Sequence, residues 1–255
     1  MYILIVDKKE RKFMEIFESW IVNQYIAHRG LHNKKAPENS IAAFKRAIDK
    51  GYAIELDLHM LEDGTPVVFH DYELKRMTNK DGYISKLKKE DLKDYKLLKS
   101  DQTIPTLQEV LEFVNGRTPL LIELKNTGKV GVFESVVLEM LKQYNGEYAV
   151  QSFNPFTLNY FYLNAPDILR GQLSGSFKDS DVSRAKKYFL KRMTFNKKVS
   201  RPHFISYEYT AVPNRFVRRF KHLPLLVWCV PSQEEYMKVV KHCDNIIFEN
   251  FEPKI

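Results

Sequence analysis

The chain has 255 residues, of which 44% are hydrophobic, 28% charged and 13% aromatic. This composition is typical of a globular protein and excludes disordered, low-complexity and collagen-like chains. No apolar run approaches the roughly 20 residues that cross a bilayer, and the apolar start at residues 1–6 is too short for a signal segment. Two cysteines, Cys229 and Cys243, cannot form a disulfide framework, and we expect a cytoplasmic protein.

The formal net charge is +8, from 40 lysines and arginines against 32 aspartates and glutamates. Such an excess favours an anionic partner, but charge alone leaves nucleic acid, an anionic membrane and a phosphorylated small molecule open. A run of basic and aromatic residues at 186–201 leaves weak contact with an anionic membrane open. No nucleic-acid recognition motif accompanies the charge, so we expect no nucleic-acid partner.

Short aliphatic runs alternate with helical patterns along most of the chain, as in the βα units of a parallel sheet. The first element is a predicted amphipathic helix at about 10–23, with its apolar residues at helical spacing. Strands of parallel type are then predicted at 25–28, 53–57, 120–125, 148–152, 168–173, 203–207, 225–230 and 245–248. Helices are predicted between them near 41–48, 107–114, 133–141, 156–163, 182–193 and 232–243.

Eight such strands predict an α/β architecture, a (β/α)8 TIM barrel that forms a single domain over residues 1–255. A small hairpin and loop insertion, at about 58–104, follows the second strand. If its turn centres between Asp63 and Gly64, Asp57 lies opposite His70. Because only 249–255 follow the last strand, we expect the N-terminal helix to take the place of the missing final helix.

Ionisable residues cluster at the predicted carboxyl ends of the strands, where such barrels carry their catalytic groups. Glu55 and Asp57 are two residues apart on one strand, so both side chains point to the same face. Glu123 and Lys125 share a face by the same rule. Converging carboxylates repel one another unless a cation lies between them, and ligation by oxygen alone favours Mg²⁺ or Ca²⁺ over zinc.

Two histidines fall beside these carboxylates, His28 at the end of the first strand and His70 at the end of the hairpin. Such a pair can act as general acid and base near neutral pH. Arg29 and Lys125 add positive charge suited to phosphate oxygens. Together these residues predict metal-assisted phosphoryl chemistry. For Trp228 the sequence leaves two positions open, the barrel core or contact with a substrate.

The order and spacing of these residues resemble the glycerophosphodiester phosphodiesterase family over about the first half of the chain. The matching segments are Ala27-His28-Arg29-Gly30, Pro37-Glu38-Asn39-Ser40, Glu55-Leu56-Asp57-Leu58-His59, Asp63-Gly64, His70-Asp71, 74–78, 104–107 with 109–111, and Glu123-Leu124-Lys125. The second half matches more loosely, through Ser152-Phe153 and the strand of Trp228. At the end the chain has Phe248-Glu249 where the family has a Thr-Asp pair before a proline.

The resemblance implies an enzyme that uses a divalent metal, Mg²⁺ or Ca²⁺, to hydrolyse glycerophosphodiesters such as glycerophosphocholine or glycerophosphoethanolamine to glycerol 3-phosphate and an alcohol. It implies that a glycerol hydroxyl attacks phosphorus and that water then opens the cyclic phosphate. Carried over by position, the metal ligands are Glu55, Asp57 and Glu123, and the acid–base pair is His28 and His70. The residues implied to contact or support the substrate are Arg29, Lys125, Glu38 and Trp228.

Two other interpretations stay open. A phospholipase D-like member of the superfamily, acting on lysolipids, needs an apolar rim that the sequence does not reveal. A barrel that only binds phosphate or lipid headgroups is disfavoured because no expected acid, base or ligand is missing. His59, His203, His222 and His242 are interpreted as structural and Cys229 as a core residue. The sequence leaves open the preferred alcohol, the metal, the oligomeric state and any contribution of 249–253 to the site.

Overall fold

The computed structural model describes residues 15–126, 128–177, 188, 190–191, 193 and 198–254. The β-strands are β1 (Ile26–Ala27), β2 (Ala53–Met60), β3 (Pro66–Val68), β4 (Leu120–Leu124), β5 (Tyr148–Ser152), β6 (Leu169–Ser174), β7 (Phe204–Glu208), β8 (Leu225–Val230) and β9 (Asn245–Phe248). The α-helices are α1 (Trp20–Asn23), α2 (Ile41–Asp49), α3 (Lys75–Thr78), α4 (Leu107–Val114), α5 (Val132–Lys142), α6 (Pro155–Asn164) and α7 (Gln233–Val239). None of these helices is long and apolar enough to span a membrane.

All strands except β3 run parallel and close into a ring. Their order is β1-β9-β8-β7-β6-β5-β4-β2, and β1 also pairs with β2. Ile26 lies opposite both Ala53 of β2 and Ile247 of β9, which marks the closure. The predicted (β/α)8 TIM barrel is confirmed. Most of the predicted helix at 182–193 and half of the basic run at 186–201 lie outside the described part of the chain.

The interior of the barrel is apolar at the end where the strands begin. The strand residues that fill this end form one buried cluster, namely Ile26, Ala53, Leu121, Ala149, Phe204, Leu226 and Ile247. A larger apolar cluster on the outside includes Leu56 and Ile122 of the strands together with Phe44 of α2 and Val110 of α4. Because the lower end is filled mainly by apolar side chains, the inward-facing charged residues lie at the other end, where the strands finish.

The N-terminal segment packs beneath the barrel. Ile16, Trp20 and Ile21 belong to the same buried cluster as the lower strand residues. Asn245 Nδ2 at the start of β9 donates to the carbonyl oxygen of Ile21 at 2.8 Å. The segment therefore meets the last strand, but at the lower opening rather than in the outer ring of helices, because its apolar stripe is buried most fully there. Residues 10–14 of the predicted helix lie outside the described residues.

The insertion after β2 begins with the antiparallel β2–β3 hairpin and has a small core of its own. Leu58 lies opposite Val68, and the amide of Phe69 donates to the carbonyl of Asp57 at 3.0 Å. The expectation that Asp57 lies opposite His70 is therefore wrong by one residue. The amide of Leu61 bonds to the carbonyl of Thr65, so the loop between them has three residues and centres on residue 63 rather than between 63 and 64.

Candidate active site

The barrel opens at its upper end into a cavity of about 540 Å³. Its polar wall comes from the first strands and the hairpin and comprises His28, Arg29, Glu55, Asp57, His70, Glu123 and Lys125. Its other wall is largely apolar and includes Phe153, Leu173, Phe177, Tyr209 and Trp228. The structure thus brings together every predicted site residue except Glu38, which lies behind Arg29. A cavity of this size suits a small ligand.

Three carboxylates converge on the polar wall. Oxygen atoms of Glu55, Asp57 and Glu123 lie within 4.8 Å of one another, and all three residues are buried. The pairing of Asp57 with Glu123 across β2 and β4 places two of them side by side. Burial, together with the charges of Asp57 and Glu123, raises the pKa of Glu55 well above its usual value. This mutual repulsion favours a cation among the three.

Positive groups surround the central carboxylate, Asp57. Lys125 Nζ lies 3.1 Å from Asp57 Oδ1 and 2.9 Å from Glu123 Oε1. Arg29 Nε lies 3.3 Å from Asp57 Oδ2, and Asn39 Nδ2 donates to the same oxygen at 2.9 Å. Burial alone raises the pKa of Asp57, but Lys125 and other positive groups hold it below its usual value. Asp57 is therefore an anion whose two oxygens both contact positive or hydrogen-bonding groups. The hydrogen bond from Asn39 was not predicted from the sequence.

The turn after β1 positions Arg29. Arg29 and Gly30 have positive φ angles of 55° and 77°. A Cβ at Gly30 would lie 2.9 Å from the carbonyl carbon of Ala43, so only glycine allows this close approach to α2. The turn directs the Arg29 amide to Glu55 Oε2 at 3.0 Å, and its Nη1 to Glu38 Oε1 at 2.7 Å. The predicted support from Glu38 thus consists of an ion pair with Arg29, outside the cavity.

His28 is held by a carboxylate from the end of the chain. Its Nδ1 donates to Glu249 Oε2 over 2.8 Å, which leaves Nε2 for proton exchange. Burial lowers the pKa of His28, while the hydrogen bond from His28 and the nearby His32 imidazole lower the pKa of Glu249. Glu249 falls in the segment where the chain departs from the family pattern. Sequence reasoning left its role open, since 221 residues separate it from His28.

His70 has the same arrangement with its chain neighbour. Its Nδ1 donates to Asp71 Oδ1 over 2.6 Å. Burial lowers the pKa of His70 to about 4, although the negative charge of Asp57 opposes the shift. Arg76 Nε in turn binds Asp71 Oδ2 at 2.6 Å. Each of the two predicted histidines therefore has one ring nitrogen fixed by a carboxylate.

The apolar wall is built from aromatic rings that meet edge to face. The ring of Phe153 lies 5.7 Å from that of Trp228 and 6.1 Å from that of Phe177. Trp228 therefore lines the cavity while it also packs against the buried cluster below it, and its contact with a substrate stays a prediction. Between the walls, Gln151 lies opposite Glu123 in the sheet, and its buried Oε1 has no hydrogen-bond partner among the described residues. A lone polar residue in a strand gave no signal by which to predict it.

Cys229 also lines the cavity, so its interpretation as a core residue is wrong. Regular alternation would send Trp228 and Cys229 to opposite faces of β8. The register between β8 and β9 shifts between Val227 and Val230, and this irregularity turns both neighbours towards the inside. The thiol then lies within 4.8 Å of the ligand atoms of His28 and Glu249.

A parallel eight-stranded barrel with clustered carboxylates and carboxylate-bound histidines at its upper end defines a class, the TIM barrels with an ionisable site at the carboxyl ends of their strands. The model of the glycerophosphoryl diester phosphodiesterase family matches residues 28–247. The chain belongs to this family.

Relatives and solved structures agree with that assignment. The chain is 38% identical over 161 residues to a glycerophosphodiester phosphodiesterase of Caldanaerobacter subterraneus, a match that covers 58% of this chain and 65% of the relative. It is 35% identical over 159 residues to lysophospholipase D GDPD1 of Homo sapiens, covering 57% of this chain and 46% of that protein. An Oleispira antarctica phosphodiesterase solved with the product sn-glycerol-3-phosphate superposes with a TM-score of 0.73 at 26% identity, over 90% of this chain and 93% of that one.

Proposed function

We propose that this protein hydrolyses glycerophosphodiesters, such as glycerophosphocholine and glycerophosphoethanolamine, to glycerol 3-phosphate and an alcohol. The observation that carries the proposal is the convergence of three buried carboxylates and two carboxylate-bound histidines on one cavity of about 540 Å³. The similarity to a phosphodiesterase solved with sn-glycerol-3-phosphate supports the substrate class.

Glu55, Asp57 and Glu123 would hold a divalent metal, Mg²⁺ or Ca²⁺. These residues fit such an ion, because their atoms are hard oxygen donors and the positive charges of Lys125 and Arg29 offset only part of their negative charge. Gln151 Oε1, for which the described residues provide no hydrogen-bond donor, offers a further neutral oxygen beside Glu123. When bound, the metal supplies positive charge that polarises the phosphoryl group and stabilises the transition state.

The two histidines would move the protons. One takes the proton of a glycerol hydroxyl as its oxygen bonds to phosphorus, and the other protonates the oxygen of the departing alcohol. Glu249 and Asp71 hold the Nδ1 atoms, so each ring exchanges protons at Nε2. The anionic phosphodiester favours the protonated form of a neighbouring ring. Water then opens the cyclic phosphate while the rings exchange roles, which restores both starting protonation states.

The test is release of glycerol 3-phosphate from glycerophosphocholine and glycerophosphoethanolamine, with and without a chelator. We expect chelation to abolish release and added Mg²⁺ or Ca²⁺ to restore it. His28→Ala and His70→Ala should each lose most activity, whereas His242→Ala, which changes an exposed histidine, should not. Activity that persists after chelation, or after loss of both His28 and His70, would exclude the mechanism. Tight substrate binding without turnover would favour the headgroup-binding barrel.

Lysophospholipids are a second candidate substrate, and one observation favours them. Val132, Phe153 and Phe156, which are 69%, 37% and 51% exposed, follow β4 and β5 at the end of the barrel that holds the cavity. These side chains provide an apolar edge that the sequence did not reveal, and such an edge suits an acyl chain or a lipid surface. Release of choline from lysophosphatidylcholine, with none from glycerophosphocholine, would favour this candidate over the first.

A further inference from the structure

Four potential metal ligands lie at the upper end of the barrel, beside the cavity and next to β2, the strand that carries Glu55 and Asp57. They come from the end of β1, the loop that follows it, β8 and the residue after β9, which are neighbours in the barrel. Atoms of His28, Cys229 and Glu249 lie within 4.8 Å of one another. His32 Nε2 lies 3.7 Å from Glu249 Oε2, beyond hydrogen-bonding distance. This nitrogen is buried and has no hydrogen-bond partner within the part of the chain that the structure describes.

We propose that His28, His32, Cys229 and Glu249 form a second metal site, which selects Zn²⁺ or a similar borderline ion and whose occupation inhibits the enzyme. Two imidazoles, a thiolate and a carboxylate are the donors that Zn²⁺ prefers, whereas Mg²⁺ and Ca²⁺ prefer oxygen alone. The site is thus distinct in chemistry from the cluster of Glu55, Asp57 and Glu123.

Three of the ligands, His28, Cys229 and Glu249, already lie within 4.8 Å of one another, and His32 would complete a tetrahedral set by moving towards them. Zinc bonds of about 2.0–2.3 Å place tetrahedral ligand atoms about 3.3–3.8 Å apart. The 3.7 Å between His32 Nε2 and Glu249 Oε2 would have to shorten to the roughly 3.3–3.5 Å expected of a nitrogen and an oxygen on one tetrahedral zinc ion. The 2.8 Å hydrogen bond between His28 and Glu249 would have to open by roughly half an ångström or more, since the ion replaces the shared proton.

The charge balance also favours zinc. The thiol of Cys229 releases its proton when it binds the ion, as metal-bound thiols do. One thiolate and the carboxylate of Glu249 then neutralise the two positive charges of Zn²⁺. The resulting site has no net charge, which suits a half-buried position near the positive charge of Arg29 better than an uncompensated cation would.

Occupation would stop the proton exchange assigned to His28. The ion takes Nδ1, so the single remaining proton of the ring sits on Nε2. The ring can then accept no further proton without releasing the metal. This inhibitory part rests on the proposed function, whereas metal binding itself does not.

Cobalt provides a direct test of binding, because a cobalt–thiolate bond gives a near-ultraviolet charge-transfer band and cobalt bound to oxygen alone gives none. The experiment is a titration of the whole protein with Co²⁺ in the presence of saturating Mg²⁺, which would occupy the carboxylate cluster. The wild type and Cys243→Ser should show the band, Cys229→Ser should lose it, and Zn²⁺ should displace it. Cys243 is the matched control, since its thiol contacts the carbonyl of Val239 instead. Absence of the band in the wild type, or its survival in Cys229→Ser, would overturn the site.

A second variant covers the case in which Cys229→Ser does not fold. His32→Gln should weaken cobalt and zinc binding at least as much as the roughly 10- to 100-fold that loss of a ligand's hydrogen-bonding partner costs. Unchanged affinity would remove His32 from the site.

Inhibition is measured separately, as release of glycerol 3-phosphate in saturating Mg²⁺. Zn²⁺ should inhibit the wild type and Cys243→Ser equally, without relief by more Mg²⁺, and His32→Gln should need at least about tenfold more Zn²⁺. Zinc binding without inhibition would overturn the inhibitory role alone. A protein that shows the thiolate band but no turnover of any substrate would overturn the proposed function and leave the zinc site standing.

Discussion

Arg76 binds Glu38 through two hydrogen bonds, from Nη1 to Oε2 at 2.8 Å and from Nη2 to Oε1 at 2.7 Å. Arg76 lies in α3 of the insertion and Glu38 in the loop before α2 of the barrel. The same guanidinium binds Asp71, the partner of His70. This ion pair therefore fixes the insertion, and with it His70, against the barrel wall that holds Asp57.

Loss of the ion pair between Arg76 and Glu38 should impair catalysis. In Arg76→Ala we expect kcat/KM for glycerophosphocholine to fall roughly 10- to 100-fold, the cost of a small misplacement of a reacting group. Arg76→Lys should recover little, because lysine cannot form the two-point contact. The control is Lys75→Ala, whose side chain pairs with exposed Asp81 at 3.1 Å and with no other carboxylate of the described residues. Equal kcat/KM in Arg76→Ala and Lys75→Ala would show that the ion pair between Arg76 and Glu38 does not position His70.

The same ion pair predicts a loss of stability in acid. Burial alone would raise the pKa of Glu38, but Arg76 and Arg29 hold it below its usual value. The stabilisation is therefore complete above the unfolded pKa, about 4.3, and is lost as the pH falls through the lower pKa of the folded state. At pH 7 Glu38→Gln should cost about 1.5–3 kcal/mol of unfolding free energy, the range for hydrogen bonds to charged groups.

Urea unfolding from neutral to acid pH measures this effect. The difference between wild type and Glu38→Gln should shrink as the pH drops below the usual carboxyl pKa. Glu139→Gln, which removes an exposed partner of Lys142, should follow the wild type throughout. A difference for Glu38→Gln that is independent of pH would contradict the assignment.

Asn39 should tune metal affinity through Asp57. Its amide donates to Asp57 Oδ2, and its φ of 55° is one that glycine adopts without strain. In Asn39→Gly we expect the Mg²⁺ or Ca²⁺ concentration for half-maximal activity to rise about 10- to 100-fold, with activity recovered at saturating metal. Asn79→Gly, at a φ of 57° in the insertion, controls for the added backbone freedom. If both variants require the same metal concentration as the wild type, Asn39 does not act on a metal ligand.

The barrel and most of its polar wall follow from local patterns in the sequence. Strand spacing predicts the closed sheet, and the two-residue period places Glu55 and Asp57 on one inward face. Contacts that depend on register or on distant partners do not follow in this way. The inward turn of Cys229 depends on the irregular β8–β9 pairing, and the bond between His28 and Glu249 depends on barrel closure. The hairpin register was missed by one residue because it is set by loop geometry rather than by composition.

The position of the N-terminal segment likewise does not follow from local sequence patterns. Its apolar stripe predicts a helix but not the surface that the helix covers. Trp20 and Ile21 fill the lower opening of the barrel, and Trp20 is only 9% exposed. Trp20→Ala should therefore lower the free energy of unfolding by about 3–5 kcal/mol, the usual cost of truncating a buried aromatic residue. Activity of the folded variant should change little, because the site lies at the opposite end of the strands. Urea midpoints and kcat/KM below the transition measure the two effects, and exposed Glu18→Ala is the control. A stability of Trp20→Ala equal to that of Glu18→Ala would show that the segment does not close the barrel.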